Sequence, residues 1–188
     1  MGNAESTNLI VDEAKIIEKN INNMKKICSL RVGDVFVYSD KFEERPEVEL
    51  IDGMPNYYAA THTVGTTRAK LVKGINPLQV VKLPEKMERI PAIVIVSNPR
   101  KAGSEDTPWE NYLDVDNGYA RYFGDNYKPD QDPDEANGNF RLLEQFRMHR
   151  SDNRADRIKS SPIVIFERPA VGRLLFQGIG VITNVERV

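Results

Sequence analysis

Tyr112-Leu-Asp-Val-Asp-Asn-Gly-Tyr-Ala-Arg-Tyr-Phe-Gly-Asp-Asn126 gathers aromatic rings, carboxylates and glycines just after an apolar run, Ile93-Val-Ile-Val96. A pocket for a flat, polar ring needs these parts. Aromatic faces stack on the ring, and a carboxylate accepts a hydrogen bond from an exocyclic amine. Gly118 and Gly124 let the backbone turn, or approach where a side chain would block it. Proteins that rotate a nucleobase out of a duplex use this combination. The same residues also describe a plain β-hairpin, with tyrosines packed on a core and Asp and Asn making the turns.

Outward from this segment, the pattern predicts many short strands and few helices. Leu30 to Ser39, Val80-Val81, Ile93 to Val96, Ile163 to Phe166 and Leu174 to Val181 read as strands, and Tyr57 to Lys73 as one or two more. The charged stretch Lys41 to Glu49 reads as an exposed loop. Phe140 to Arg150 has helical spacing. Asn8 to Ile27 reads as an amphipathic helix, with Ile10, Ala14, Ile17, Ile21 and Met24 on one face. The expected fold class is α+β, a curved β-sheet or β-barrel with peripheral helices. The expected division is an N-terminal helical extension over 1–28 and a main domain over 29–188.

Composition agrees with a globular chain. Of 188 residues, 40% are hydrophobic and 29% charged, enough for one domain with a real core. No apolar run has the length of a membrane span, and no signal-peptide pattern precedes the first charged helix. The single cysteine, Cys28, precludes an internal disulfide and suits a reducing cytoplasm, the expected location. Met1-Gly-Asn-Ala-Glu-Ser6 matches the N-myristoylation pattern, a short motif that recurs by chance.

The net charge of −2 argues against a nonspecific nucleic-acid coat. Its distribution is more informative. Basic residues dominate 51–100 and 141–173, and an acidic stretch lies between them from Glu105 to Glu135. Two basic blocks flanking a polar pocket can clamp phosphates on either side of it. Most such charges in proteins are nonetheless solvated surface, and the acidic stretch opposes DNA binding.

Catalytic constellations are missing. His62 and His149 lie in separate segments without Cys partners, which argues against zinc. There is no P-loop, no supported Ser/His/Asp set, and no carboxylate-carboxylate-lysine group of the kind a nuclease uses. His149 fits a role at a helix C-terminus, where its charge would favour the dipole, better than a phosphate contact. No catalytic residue, metal or cofactor is expected.

The order of motifs resembles a known family. Val115-Asp-Asn-Gly118 followed by Tyr122-Phe-Gly124 resembles the central signature of SET-and-RING-associated (SRA) domains, the methylcytosine readers. Leu30-Arg-Val-Gly-Asp-Val-Phe36 looks like their opening strand. Gly138-Asn139 before Leu142-Leu143 looks like their helix, and Pro162 to Phe166 with Phe176-Gln-Gly178 like their last two strands. The set is most similar to SRA-like domains at the front of modification-dependent restriction endonucleases, of the AspBHI and McrA-like kinds, over roughly Leu30 to Val188.

The resemblance implies a PUA-like core that recognises 5-methyl- or 5-hydroxymethylcytosine in double-stranded DNA by base flipping. Asp114 falls where the family's carboxylate meets the cytosine amino group. Tyr112 falls one position from the first stacking aromatic, and Tyr122 at the second, with Phe123 as the alternative. Asp125, Asn126 and Trp109 complete the expected pocket, Trp109 either joining it or covering the core below. Arg68, Lys70, Lys73, Arg100, Arg141, Arg147 and Arg150 are the expected phosphate contacts. The implied partners are modified double-stranded DNA and a downstream nuclease domain in a longer protein, with no membrane and a possible dimer. One departure stands out. Where eukaryotic SRA domains carry a basic finger loop, Tyr127 to Glu135 is acidic, so CpG reading does not transfer.

Other classes fit the same residues. A protein-protein module or a small-ligand (nucleoside) binding domain would use the same aromatics. A hydrolase would need Asp114 and Asp116 on one face of a strand.

Overall fold

The computed structural model describes residues 30–45, 47–61, 70–71, 73–82, 87–99, 110–124, 130 and 132–187. The N-terminal helix, Cys28, His62, Arg68, Arg100, Trp109, Asp125 and Asn126 of the sequence reading lie outside them.

The apolar run forms β7 (Ile93–Ser97), buried along its whole length. A strand with no polar face must be covered on both sides, which suits a parallel neighbour in a layered sheet. That neighbour is β10 (Ile163–Glu167), parallel to β7 in the register Ile163↔Ile93 to Glu167↔Ser97. β11 (Arg173–Gly180) runs antiparallel to β10, and β1 (Val35–Val37) antiparallel to β11. β4 (Ile75–Pro77) pairs antiparallel with β7 on the other side. The sheet order is β1-β11-β10-β7-β4. Pro77, which cannot donate to a ladder, stands on the edge strand β4.

Alternation along β7 divides the core in two. Val94 and Val96 join Phe36, Tyr57, Tyr58, Phe166, Leu174 and Phe176 in an aromatic-rich cluster. Ile93 and Ile95 join Ile75 and Ile163 in a second one, against which Tyr122, Leu142 and Ile182 pack. Ring pairs such as Tyr57 with Phe166, 5.8 Å apart at 83°, give the first cluster edge-to-face contacts beyond simple burial.

Among the described residues, three two-stranded ribbons accompany this sheet: β2 (Leu50–Ile51) with β3 (Met54–Pro55), β5 (Val81–Lys82) with β6 (Glu88–Arg89), and β8 (Tyr112–Asp114) with β9 (Tyr119–Arg121). The α-helices among the described residues are α1 (Asp40–Glu43), α2 (Tyr57–Thr61), α3 (Asn137–His149) and α4 (Arg154–Lys159). The architecture is therefore mixed α+β. Among the described residues the five-stranded sheet is open, with β1 and β4 as its edges, and forms no closed barrel.

Several elements differ from the sequence expectation. The strand expected over Leu30 to Ser39 is only Val35–Val37, because Asp34 closes a turn by accepting the Arg31 N–H at 2.9 Å and Gly33 takes φ +91°. The loop expected from Lys41 opens as α1, whose N-cap Ser39 accepts from Lys41 N–H. Tyr57–Thr61 is helical rather than extended. Buried Asn56 caps it, its Oδ1 accepting from Tyr58 N–H at 3.1 Å. α4 was not anticipated, since its six residues Arg-Ala-Asp-Arg-Ile-Lys carry no apolar stripe.

Candidate nucleic-acid interface

The β8–β9 hairpin has the register Tyr112↔Arg121, Leu113↔Ala120 and Asp114↔Tyr119. Strand alternation therefore puts Tyr112, Asp114, Tyr119 and Arg121 on one face, with Leu113 and Ala120 on the other. Tyr112 and Tyr119 are 50% and 55% exposed and lie 6.1 Å apart, ring centre to ring centre. Rings this open are not core packing. Tyr122, just past β9, instead packs on the Ile75/Ile93/Ile95/Ile163 cluster.

Asp114 closes the turn. Its Oδ1 accepts from the Asn117 backbone N–H at 3.0 Å, and its Oδ2 from the Asn117 side-chain amide at 2.9 Å and the Tyr112 hydroxyl at 3.3 Å. Gly118, at φ +65°, donates its N–H to Val115 O at 3.2 Å. The Asn117 side-chain bond, then its backbone N–H and the Tyr112 hydroxyl, hold the Asp114 carboxyl below its ordinary range, so it is an anion at neutral pH. Asp116 lies in the turn, so it does not share a strand face with Asp114 as an acid–base pair would require.

Asn111 ties the hairpin to the sheet. Its Oδ1 accepts from Phe123 N–H at 2.9 Å, and its Nδ2 donates to the hydroxyl of Ser97 at 3.1 Å. Ser97 is the last residue of β7 and is buried. The Arg121 guanidinium lies 5.5 Å over the Phe123 ring. Gly124 then abuts α3 so closely that a Cβ there would overlap the Asn139 side chain. The aromatic hairpin is thus fixed at the end of β7 and against the start of α3.

A profile of the family described as "Restriction endonuclease AspBHI N-terminal" matches residues 59–187. The chain belongs to this family. Among solved structures, this AspBHI N-terminal-type domain is similar to the MspJI restriction endonuclease in complex with a 27-mer oligonucleotide. The TM-score is 0.76 and the identity 30%, over 89% of this chain and 39% of that one. The DNA recognition domain of LpnPI, a cytosine modification-dependent restriction endonuclease, shares the fold. There the TM-score is 0.51 at 21% identity, over 83% of this chain and 60% of that one. The chain thus spans less than two thirds of either structure. No curated protein matches it by sequence.

Of the residues expected in the pocket, the AspBHI N-terminal-type domain brings Tyr112 and Asp114 together on the hairpin face, whereas Tyr122 packs on the core cluster. Phe123 is half-buried beside Arg121. Tyr119, Arg121 and Asn111 were missed as site residues. For Tyr119 and Arg121 the signal was strand parity across a four-residue turn. For Asn111, whose partners Ser97 and Phe123 are distant in sequence, there was no such signal.

The expected phosphate contacts differ in state. Lys70 pairs with Glu43 at 3.3 Å, and Arg141 with Glu144 at 3.0 Å, its guanidinium 5.7 Å from the Phe140 ring. Lys73, Arg147 and Arg150 are exposed, and none is ion-paired among the described residues. His149 has a structural role. Ile182 N–H donates to its Nδ1 at 3.1 Å, which leaves Nε2 to carry the proton and donate to Ser161 O at 3.0 Å. Beside it, Ser161 N–H donates to buried Gln145 at 2.6 Å, and the Ser161 hydroxyl to Ile90 O at 2.5 Å. Desolvation lowers the His149 pKa, so the ring is neutral. Among the described residues no group of three His, Cys, Asp or Glu is placed to hold a metal, and no helix is long and apolar enough to cross a membrane.

Proposed function

We propose that this chain is the specificity domain of a modification-dependent restriction endonuclease, reading 5-methyl- or 5-hydroxymethylcytosine flipped out of double-stranded DNA. The observation that carries this is the exposed hairpin face, where Tyr112 and Tyr119 flank an ionised Asp114 in a chain of the AspBHI N-terminal family. The rings offer stacking surface, and the carboxylate accepts from the cytosine N4 amine. Phe123, Trp109, Asp125 and Asn126 complete the pocket, and Tyr122 packs on the core cluster beneath it. A methyl group in an apolar niche contributes roughly 1 kcal/mol, about tenfold in affinity. Flipping costs a few kcal/mol, which phosphate contacts by Arg68, Lys70, Lys73, Arg100, Arg141, Arg147 and Arg150 offset.

The open sheet fits the wall of a PUA-like curved core. The chain itself is non-catalytic in this reading, and the nuclease is a separate domain of a longer cytoplasmic protein.

The test is binding to matched duplexes carrying cytosine, 5-methylcytosine or 5-hydroxymethylcytosine at one position, with Asp114→Ala and Tyr112→Ala in parallel. A 2-aminopurine placed next to the modified cytosine reports flipping by its fluorescence. The expected result is modification-dependent binding with a fluorescence rise, both lost in the variants. Equal binding to all three duplexes overturns the reading.

A further inference from the structure

We infer that the corner between α3 and α4 is a second, sequence-independent DNA contact, gripping phosphates about half a helical turn from the flipped base. The inference rests on the reading of the chain as a double-stranded DNA binder.

Residues 147–159 hold five cations, Arg147, Arg150, Arg154, Arg157 and Lys159, against the carboxylates Asp152 and Asp156. All five cations are exposed, and none is ion-paired among the described residues. Lys70, Arg141 and Arg187, by contrast, each pair with a carboxylate. Asp156 is half-buried and bound by the Ser151 hydroxyl at 2.9 Å. The outward charge of the corner is therefore strongly positive.

The corner is also preorganised. Asn153 caps α4 by accepting from Ala155 N–H at 2.9 Å, and its own N–H donates to the Ser151 hydroxyl at 3.1 Å. The Arg157 guanidinium donates to Ser151 O at 2.5 Å. A loop held this way presents its cations at low entropic cost.

Helix stability accounts for only part of this charge. Cations favour a helix C-terminus, which suits Arg147 and Arg150 at the end of α3. Arg154 is the first residue of α4, where the dipole disfavours a positive charge. Helix stability therefore does not account for this charge.

Spacing completes the argument. The hairpin meets α3 where Gly124 abuts Asn139, and the corner begins at Arg150. Eleven residues of helix span roughly 17 Å. A duplex laid along α3 covers that distance in about five base pairs. The corner then meets phosphates beyond the target base, where contacts add affinity without reading sequence.

The experiment measures binding to modified and unmodified duplexes over a salt series, comparing the whole chain with the triple variant Arg150→Gln, Arg154→Gln, Lys159→Gln. Lys82→Gln controls for charge removal, and the single variants Arg154→Gln and Arg154→Lys are compared directly. We expect the triple variant to lose about tenfold or more in affinity, with a salt slope shallower by between about one and three. The loss is equal for both duplexes, so their ratio is unchanged, and Arg154→Lys retains binding. Trimming the flanks of the modified cytosine from eight to about three base pairs is expected to weaken the wild type and leave the triple variant unaffected.

An unchanged slope overturns the inference while leaving modification-dependent binding intact. A loss confined to the modified duplex also overturns it, by assigning the corner to base reading. Unaltered DNA binding with altered sedimentation overturns it in favour of a contact between copies of the chain. If the wild type shows no preference for modified DNA, the functional reading fails, and the slope on unmodified duplex still decides the corner.

Discussion

The side-chain amide of Asn111 donates to the Ser97 hydroxyl at 3.1 Å, fastening the base of the aromatic hairpin to the end of the buried strand β7. Because the same side chain accepts from Phe123 N–H, one residue fixes both ends of the hairpin. Asn111→Ala removes both bonds, each worth about 1 kcal/mol net. The expected outcome is a small fall in the urea midpoint and a larger loss of binding to modified DNA. Asn111→Asp keeps the acceptor for Phe123 and is expected to retain more binding than Ala. Equal binding in the Ala variant and wild type would show that hairpin placement is immaterial.

Tyr119 and Tyr122 are separated by their surroundings. Tyr122→Ala opens the isoleucine cluster and is expected to cost about 2–3 kcal/mol of stability, less than truncating a fully buried aromatic because the ring is half-buried. Tyr119→Ala truncates an exposed ring, so stability should stay within about 0.5 kcal/mol while binding to modified DNA falls. Denaturant curves beside binding curves check the pair.

Gly124→Ala tests the seam between hairpin and helix. The new Cβ displaces the Asn139 side chain, whose amide donates to Pro133 O at 2.9 Å. Overpacking of this kind costs about 1–3 kcal/mol. Adding Asn139→Ala relieves the overlap, so the double variant is expected to be less destabilised than the two single changes sum to. A double-mutant cycle by thermal melting measures that coupling.

His149 makes stability depend on pH. Its pKa is lowered in the folded chain, so the unfolded chain takes up a proton first as pH falls through the ordinary value of 6.5. Stability from this residue is therefore complete above that value. It declines on acidification until the folded-state pKa is reached. Protonation also sets a ring N–H against Ile182 N–H, which loses its acceptor. Urea midpoints between pH 7.5 and 5 are expected to fall more steeply for wild type than for His149→Gln. Parallel curves would contradict the assignment.

How far the fold was legible can be seen in single elements. β7 and β10 were readable because a short apolar run rich in Ile and Val, bounded by Pro and polar residues, favours a strand, and β11 because of its Leu-Leu-Phe run followed by glycines. α3 was readable from Phe140, Leu143 and Phe146. Tyr57–Thr61 was not, because a helix of five residues is decided by tertiary burial and by the Asn56 cap rather than by periodicity. In the site, the motif order identified Tyr112 and Asp114. Which face each aromatic takes depends on the turn register, and that assigned Tyr119 to the open face and Tyr122 to the core. The Asn111 latch joins residues fourteen apart through an isolated amide, a contact that leaves no periodic trace.

The parallel pairing of β7 with β10 has a consequence for how such domains diversify. Ile93 and Ile163 are register partners seventy residues apart, so the hairpin, α3 and α4 all belong to one excursion between adjacent strands. Closing a loop costs entropy that grows only logarithmically, about 0.6 kcal/mol for each doubling of its length. Residues can therefore be inserted into or deleted from the excursion with little effect on the sheet, whose pairing is set by the strands themselves. The scaffold stays constant while the recognising parts are exchanged, and new specificities can arise by indels rather than by redesign of the core.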